Sequence, residues 1–288
     1  MKLISLKTII HVKQKGSLMS YNVKSLGYRT DFIFNRFNGS VTLKDKYIVA
    51  TTDSNPNYFW GNFLLYPTPP QAGDYQSWVQ DFKKEFTNPA ISHMTFAWDS
   101  ITGEKGEISE FIKNGFKLEN SVVLSTKEVK TPPKFNDLVK INIIKDDKDF
   151  ERCIEVQVAC ANDYLSKESW ERFYRKSMEL YRSMIESHKG YWFGATLDEK
   201  IVGSLGIFID NDIARYQIVS TDPEFQRQGV CSTLVFKSAD YILKNTSAST
   251  LVMVADEDYH AAKIYESVGF KPTEKQIGLC WYDKEKHS

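Results

Sequence analysis

Charge imbalance is absent from this chain: 37 basic residues face 37 acidic ones over 288 residues. A chain without net charge has no general attraction to nucleic acid or to an anionic membrane, and neither is expected as a partner. Long apolar runs are also missing. No stretch approaches the roughly 20 apolar residues that cross a bilayer. The opening segment is interrupted by Lys7 and His11 too soon for a secretory leader. Cysteine is scarce. Cys153, Cys160, Cys231 and Cys280 show neither a CxxC pair nor zinc-ligand spacing, so no metal is expected. Reduced thiols in a cytoplasmic protein are the expectation.

What is present is ordinary globular material, 42% hydrophobic and 26% charged. At about 100–200 residues per domain the length predicts two domains. Residues 1–18 read as an uninformative extension, 19–130 as a first domain, 131–138 as a linker and 139–288 as a second domain. The linker is read from the polar Lys127–Lys134 stretch with its paired prolines, Pro132 and Pro133. A mixed α/β architecture follows from strand-like and helical periods that alternate along the chain.

One stretch organises the second domain. Residues 212–219 are β-branched and aromatic enough for a strand. Ser220–Phe225 is a polar turn. From Gly229 onward Val230, Leu234, Val235, Ala239 and Ile242 recur at helical spacing. A strand therefore runs through a turn into a helix. The first turn of a helix has unpaired N–H groups and partial positive charge, which suits an anion such as a pyrophosphate. Gly229 has no Cβ to hold that anion away, and Gln226, Arg227 and Gln228 add donors and one charge.

These residues resemble the phosphate loop of the GNAT family of acyl-CoA N-acyltransferases, (Gln/Arg)-x-x-Gly-x-(Gly/Ala). Gln226, Gly229 and Cys231 stand at its fixed positions, and Cys231 departs from the usual small residue. A second segment, 258–270, is similar to the family's Asn-x-x-Ala-x-x-x-Tyr-x-x-x-Gly-Phe, with Asp258 in place of Asn and with Tyr265, Gly269 and Phe270 in register. The resemblance covers roughly residues 139–284. It implies a GNAT fold and acetyl-CoA or coenzyme A as cosubstrate. The acceptor implied is an amine, carried by a small molecule or a peptide. It also implies that Ile218 and Val219 offer backbone groups to pantetheine, that Gln226–Ser232 hold the phosphates, and that Asp258 and Tyr265 border the cofactor.

Tyr265 matches the tyrosine that protonates the departing thiolate in many relatives. The alternative is a ring that packs under the cofactor with its hydroxyl idle. Asp256, Glu257 and His260 are all candidates for the base that deprotonates the amine. Only His260 has an ordinary pKa near neutrality. Cys231 lies at a helix start that would lower its pKa, but it faces the phosphate end and is not read as a nucleophile. An alternative reading of the whole chain is a catalytically silent CoA-binding regulator.

The first domain carries an echo of the second. Residues 108–119 align with 262–273 without gaps, each a short helix followed by Gly-Phe-Lys, and Phe111 falls where the other copy has Tyr265. No glycine-rich strand-to-helix turn is read between residues 41 and 106. The first domain is therefore expected to be GNAT-like but degenerate, with no phosphate loop.

Overall fold

The computed structural model describes residues 10–11, 20–161, 166–256 and 261–283. The chain is mixed α/β and forms two compact units. One takes the described residues up to Asn120 together with Glu274–Asp283, and the other takes Ser121–Thr273.

In the first unit a short pair, β1 (Ile10–His11) and β2 (Ser20–Tyr21), precedes α1 (Leu26–Phe37). Two carboxylates cover the start of α1. Asp99 accepts the N–H groups of Lys24 and Ser25 at 2.9 Å each, and Glu274 accepts that of Leu26 at 2.7 Å. The helix dipole favours negative charge there. Next come β3 (Gly39–Leu43), β4 (Ile48–Thr52), β5 (Phe63–Tyr66), α2 (Asp74–Glu85), β6 (His93–Trp98) and α3 (Ser109–Lys113). β7 (Lys117–Thr126) follows, and the unit boundary falls within it. Residues 41–52, which read in sequence as one strand bent by its central charges, form a hairpin instead. Lys44 donates to the Tyr47 carbonyl at 2.8 Å, which leaves Asp45 and Lys46 exposed at the tip, where their charges stay hydrated.

β5 and β6 pair in parallel, Leu64 opposite Phe96. Aromatic rings fill the layer between this sheet and α2: Tyr66 stacks on Trp78 at 3.8 Å, and Phe96, Phe111 and Phe116 complete the cluster. The turn from β5 into α2 corrects one expectation. Gly73 sits there as the N-cap, with φ of 89°, so a glycine-bearing strand-to-helix turn does exist in this half. Pro67, Pro69 and Pro70 precede it and read in sequence only as a strand terminator.

The second unit contains β8 (Lys140–Ile143), α4 (Asp147–Ala159), α5 (Lys167–Glu186), β9 (Gly190–Leu197), β10 (Lys200–Asp210), β11 (Ile213–Thr221), α6 (Val230–Asn245), β12 (Thr250–Asp256) and α7 (Ala261–Val268). β9 and β10 form the expected hairpin. Its two turn residues, Asp198 and Glu199, both have positive φ (46° and 61°), the type I′ geometry that matches strand twist. The buried run Ile201–Phe208 lies at the middle of the sheet between β9 and β11. Val230, Leu234, Val235, Ala239 and Ile242 on α6 enter the core cluster, as their spacing predicts.

The last strand is β13 (Lys271–Tyr282), whose apolar part at 276–282 reads in sequence as closing the sheet of the C-terminal half. From Gly278 to Tyr282 it pairs instead with β6 of the first unit, Leu279 opposite Phe96. The matching place beside β12 is taken by residues 121–126 of β7. Apolar alternation makes a strand but does not name its neighbour.

Candidate functional site

The site lies where β11 leaves β12. The parallel ladder joins Ile213–Arg215 to Thr250–Val252 and pairs no residues beyond. β11 continues to Thr221, and in its other ladder the register slips between Ser204/Ser220 and Gly206/Gln217. That slip puts one extra residue into β11, a β-bulge. Ile218 sits in it with φ of 45°, an unusual conformation for a β-branched residue. The bulge turns the strand, and its backbone groups on the β12 side are not used by a ladder.

After β11, Asp222 starts a short 3₁₀ turn at Pro223–Phe225 and accepts from the Glu224 N–H at 3.2 Å. Arg152 anchors Asp222 at 2.8 Å. The chain then passes through two left-handed residues, Arg227 (φ 62°) and Gly229 (φ 78°), and enters α6. Residues 134–136 pack onto this start. Ser232 donates its hydroxyl to the Lys134 carbonyl at 2.8 Å. Asn136 donates its amide to the Gln228 carbonyl at 2.8 Å, and its N–H goes to the Thr233 hydroxyl at 2.9 Å. A Cβ on Gly229 would lie 2.5 Å from the Lys134 carbonyl oxygen. The space that glycine leaves is thus taken by residues 134–136, a partner that the sequence reading did not give it.

A cavity of 640 Å³ opens here. Of the residues expected at the site, Val219, Gln226, Arg227, Gly229, Val230, Cys231, Ser232 and Tyr265 line it. Ile218 is in the adjoining bulge. The Gln228 side chain turns away and donates to the Glu224 carbonyl at 3.1 Å. Asp258 lies outside the described residues, as do Glu257 and His260. Asp256 stands exposed at the end of β12. Sequence reasoning missed Lys134, Cys160, Ser220, Thr221 and Ile264. Ser220 and Thr221 continue the strand already singled out, whereas nothing in the sequence ties Lys134 or Cys160 to this cavity.

Among the described residues two cations, Lys134 and Arg227, line the cavity, and no carboxylate does. With the N–H groups of the first turn of α6 this is an environment for a polyanion. Tyr265 closes the far side. It is 6% exposed and packs edge-on against Phe270, with ring centroids 6.4 Å apart. The Cys231 thiol is pushed up to about 11 by burial, and Cys160 is raised by burial too. Desolvation outweighs the helix start, so Cys231 is a neutral thiol at physiological pH. Among the described residues no group of three His, Cys, Asp or Glu could hold a metal ion, and no helix is long and apolar enough to cross a membrane.

A bulged strand that parts from its parallel neighbour, then a glycine-led helix start and a buried tyrosine on the next helix, make a recognisable set. Residues 160–278 match the acetyltransferase (GNAT) domain family. The chain carries a GNAT domain. Solved structures extend the likeness of fold to both halves. A conserved protein of unknown function from Staphylococcus epidermidis superposes with a TM-score of 0.67 at 15% identity, covering 85% of this chain and 94% of that one. A GCN5-related N-acetyltransferase from Kribbella flavida gives 0.61 at 11%, covering 89% and 96%. A tandem GNAT protein from the clavulanic acid biosynthesis pathway gives 0.52 at 12%, covering 76% and 73%. No curated protein matches the sequence.

Proposed function

We propose that the protein is an N-acetyltransferase that moves an acetyl group from acetyl-CoA to a primary amine, by direct attack in a ternary complex. The GNAT domain marks it as an acyltransferase. The observation that carries the finer reading is the cavity: lined, among the described residues, by two cations and no carboxylate, set at a helix start, and reaching a buried tyrosine. In this reading the phosphates take the backbone N–H groups of Gly229–Ser232, with Gln226 and Arg227 adding side-chain donors; Gln228, turned toward the Glu224 carbonyl, adds none from its side chain. Ile218 and Val219 offer backbone groups to the pantetheine arm, and Asp258 borders the cofactor.

The chemistry then needs little from the protein beyond position and protons. A neutral amine attacks the thioester carbonyl, a C–N bond forms and the C–S bond breaks. The thiolate takes its proton from the Tyr265 hydroxyl. A free thiol has a pKa of about 8.5 and tyrosine about 10, so the transfer is feasible without being strongly downhill. Asp256, Glu257 and His260 are the candidates for the base that takes the amine's proton. The acceptor is a small molecule or a peptide. We assign the chemistry to the half that begins at Val139. The half before the linker, 19–130, is then a degenerate GNAT-like domain without a phosphate loop of its own. The four free thiols fit a reducing compartment such as the cytoplasm.

Calorimetry with CoA, followed by thiol release from acetyl-CoA across a panel of amines, tests this. Binding with release on at least one amine is expected. Binding with no turnover on any amine would favour the silent regulator, and absence of binding would sink the reading.

A further inference from the structure

The polar segment expected as a linker is more than a connector, and residues 134–136 lie inside the second unit. Its residues 134–136 are fixed onto the start of α6 by three hydrogen bonds of 2.8–2.9 Å, given above. Phe135 packs edge-on against Phe236, with centroids 5.9 Å apart. The backbone of Lys134 is therefore held against Gly229 and Ser232. Lys134 is an exposed residue and lines the cavity. Among the described residues no carboxylate pairs with it.

We propose that Lys134 is the part of the cofactor site that recognises the phosphate on the ribose of CoA, and so selects CoA over its dephospho form. This rests on the acetyl-CoA reading above. The helix start and Arg227 supply N–H groups and one cation for the diphosphate. Lys134 enters from a different segment, its carbonyl packed where a Cβ on Gly229 would lie, and supplies a second cation. The remaining charge on the cofactor is the ribose phosphate monoester, a dianion near neutral pH that a lysine can meet as a point charge. Because the backbone of Lys134 is pinned, little ordering is needed to place the ammonium.

Calorimetric titration of the full chain with CoA and with dephospho-CoA tests the assignment in the parent, Lys134→Met and Arg227→Met. The parent should prefer CoA by roughly fivefold, the scale of one exposed ion pair. Lys134→Met should lose that preference while keeping its affinity for dephospho-CoA. Arg227→Met should weaken both ligands by a similar factor and keep the preference. The methionine retains the backbone contacts of residue 134, and a thermal melt confirms the fold. Equal loss for both ligands in Lys134→Met would overturn the assignment and place Lys134 on the diphosphate, with the acetyl-CoA reading intact. No binding of CoA to the parent would overturn both.

Discussion

Gly73 and Gly229 occupy matching places in the two units. Each follows a strand of a parallel pair, each is left-handed (φ 89° and 78°), and each is the N-cap of a helix. The surroundings differ. After Gly73 comes Asp74, whose carboxylate accepts the Gln71 N–H at 2.7 Å. Before it stand Pro69 and Pro70, which have no N–H to offer, and the Pro70 carbonyl is bonded to the Glu107 N–H at 2.8 Å. The start of α2 thus carries its own anion. The start of α6 has no acidic residue in its first turn and shares its cavity with Arg227 and Lys134. In the proposed reading the same backbone turn is an anion site in one case and a closed corner in the other, and the side chains decide which.

The helix ends show the same division. Phe116 N–H donates to the Phe111 carbonyl and Phe270 N–H to the Tyr265 carbonyl, each at 3.1 Å, with Gly115 (φ 87°) and Gly269 (φ 115°) making the turn. The geometry is repeated while the hydroxyl is not.

The largest effect is expected at that hydroxyl. Tyr265→Phe should slow the chemical step by roughly 10²–10⁴-fold with CoA affinity nearly unchanged. The loss should shrink for a thioester with a more acidic thiol. Phe111→Tyr should change neither quantity. Pre-steady-state rates at the parent level with both donors would remove Tyr265 as the acid.

The next effect concerns the two glycines. Gly229→Ala places a Cβ at 2.5 Å from a backbone oxygen, in a conformation that costs an L-residue about 1–2 kcal/mol. CoA affinity should fall at least tenfold, about 1.4 kcal/mol. At Gly73 a Cβ would meet nothing within 4 Å. Gly73→Ala should therefore show only the conformational cost in a thermal melt, and no change in CoA affinity. Equal losses of affinity at both positions would contradict the division drawn above.

The smallest effect is expected at Asp74. Asp74→Asn should lower stability by about 0.3–1 kcal/mol through the helix dipole. It should not create a second cofactor site, because the prolines and the Glu107 contact remain. Titration should saturate at one CoA per chain in the parent and in the variant, and saturation at two in either would show that the first unit is not degenerate.

Local patterns carried much of this molecule. The helical spacing from Val230 to Ile242, the Asp198–Glu199 hairpin and the glycine that ends α7 were all legible, because each depends on a few neighbouring residues. The splay after Arg215 came only from resemblance. What depends on distant parts of the chain was not legible. The partner of β13 is chosen by which strand edge is open, and Lys134 reaches the cavity through contacts with Gln228, Gly229, Ser232 and Thr233, nearly a hundred residues away. α1 drew no reading: Ser25 caps it locally, but the carboxylates that complete its start, Glu274 and Asp99, come from far along the sequence.

The placement of β13 has a consequence for how the protein is made. Synthesis is vectorial, and N-terminal domains commonly fold as they emerge. Here the first unit lacks its strand beside β6 until Glu274–Tyr282 has left the ribosome, on the order of ten seconds after Asn120 at ordinary synthesis rates. During that interval β6, one of the most apolar strands of the unit, presents an open edge, the kind of surface that invites wrong pairing. A ribosome stalled anywhere in the GNAT domain would leave the N-terminal half unfinished and prone to aggregate, although all of its own residues up to Asn120 were already in place.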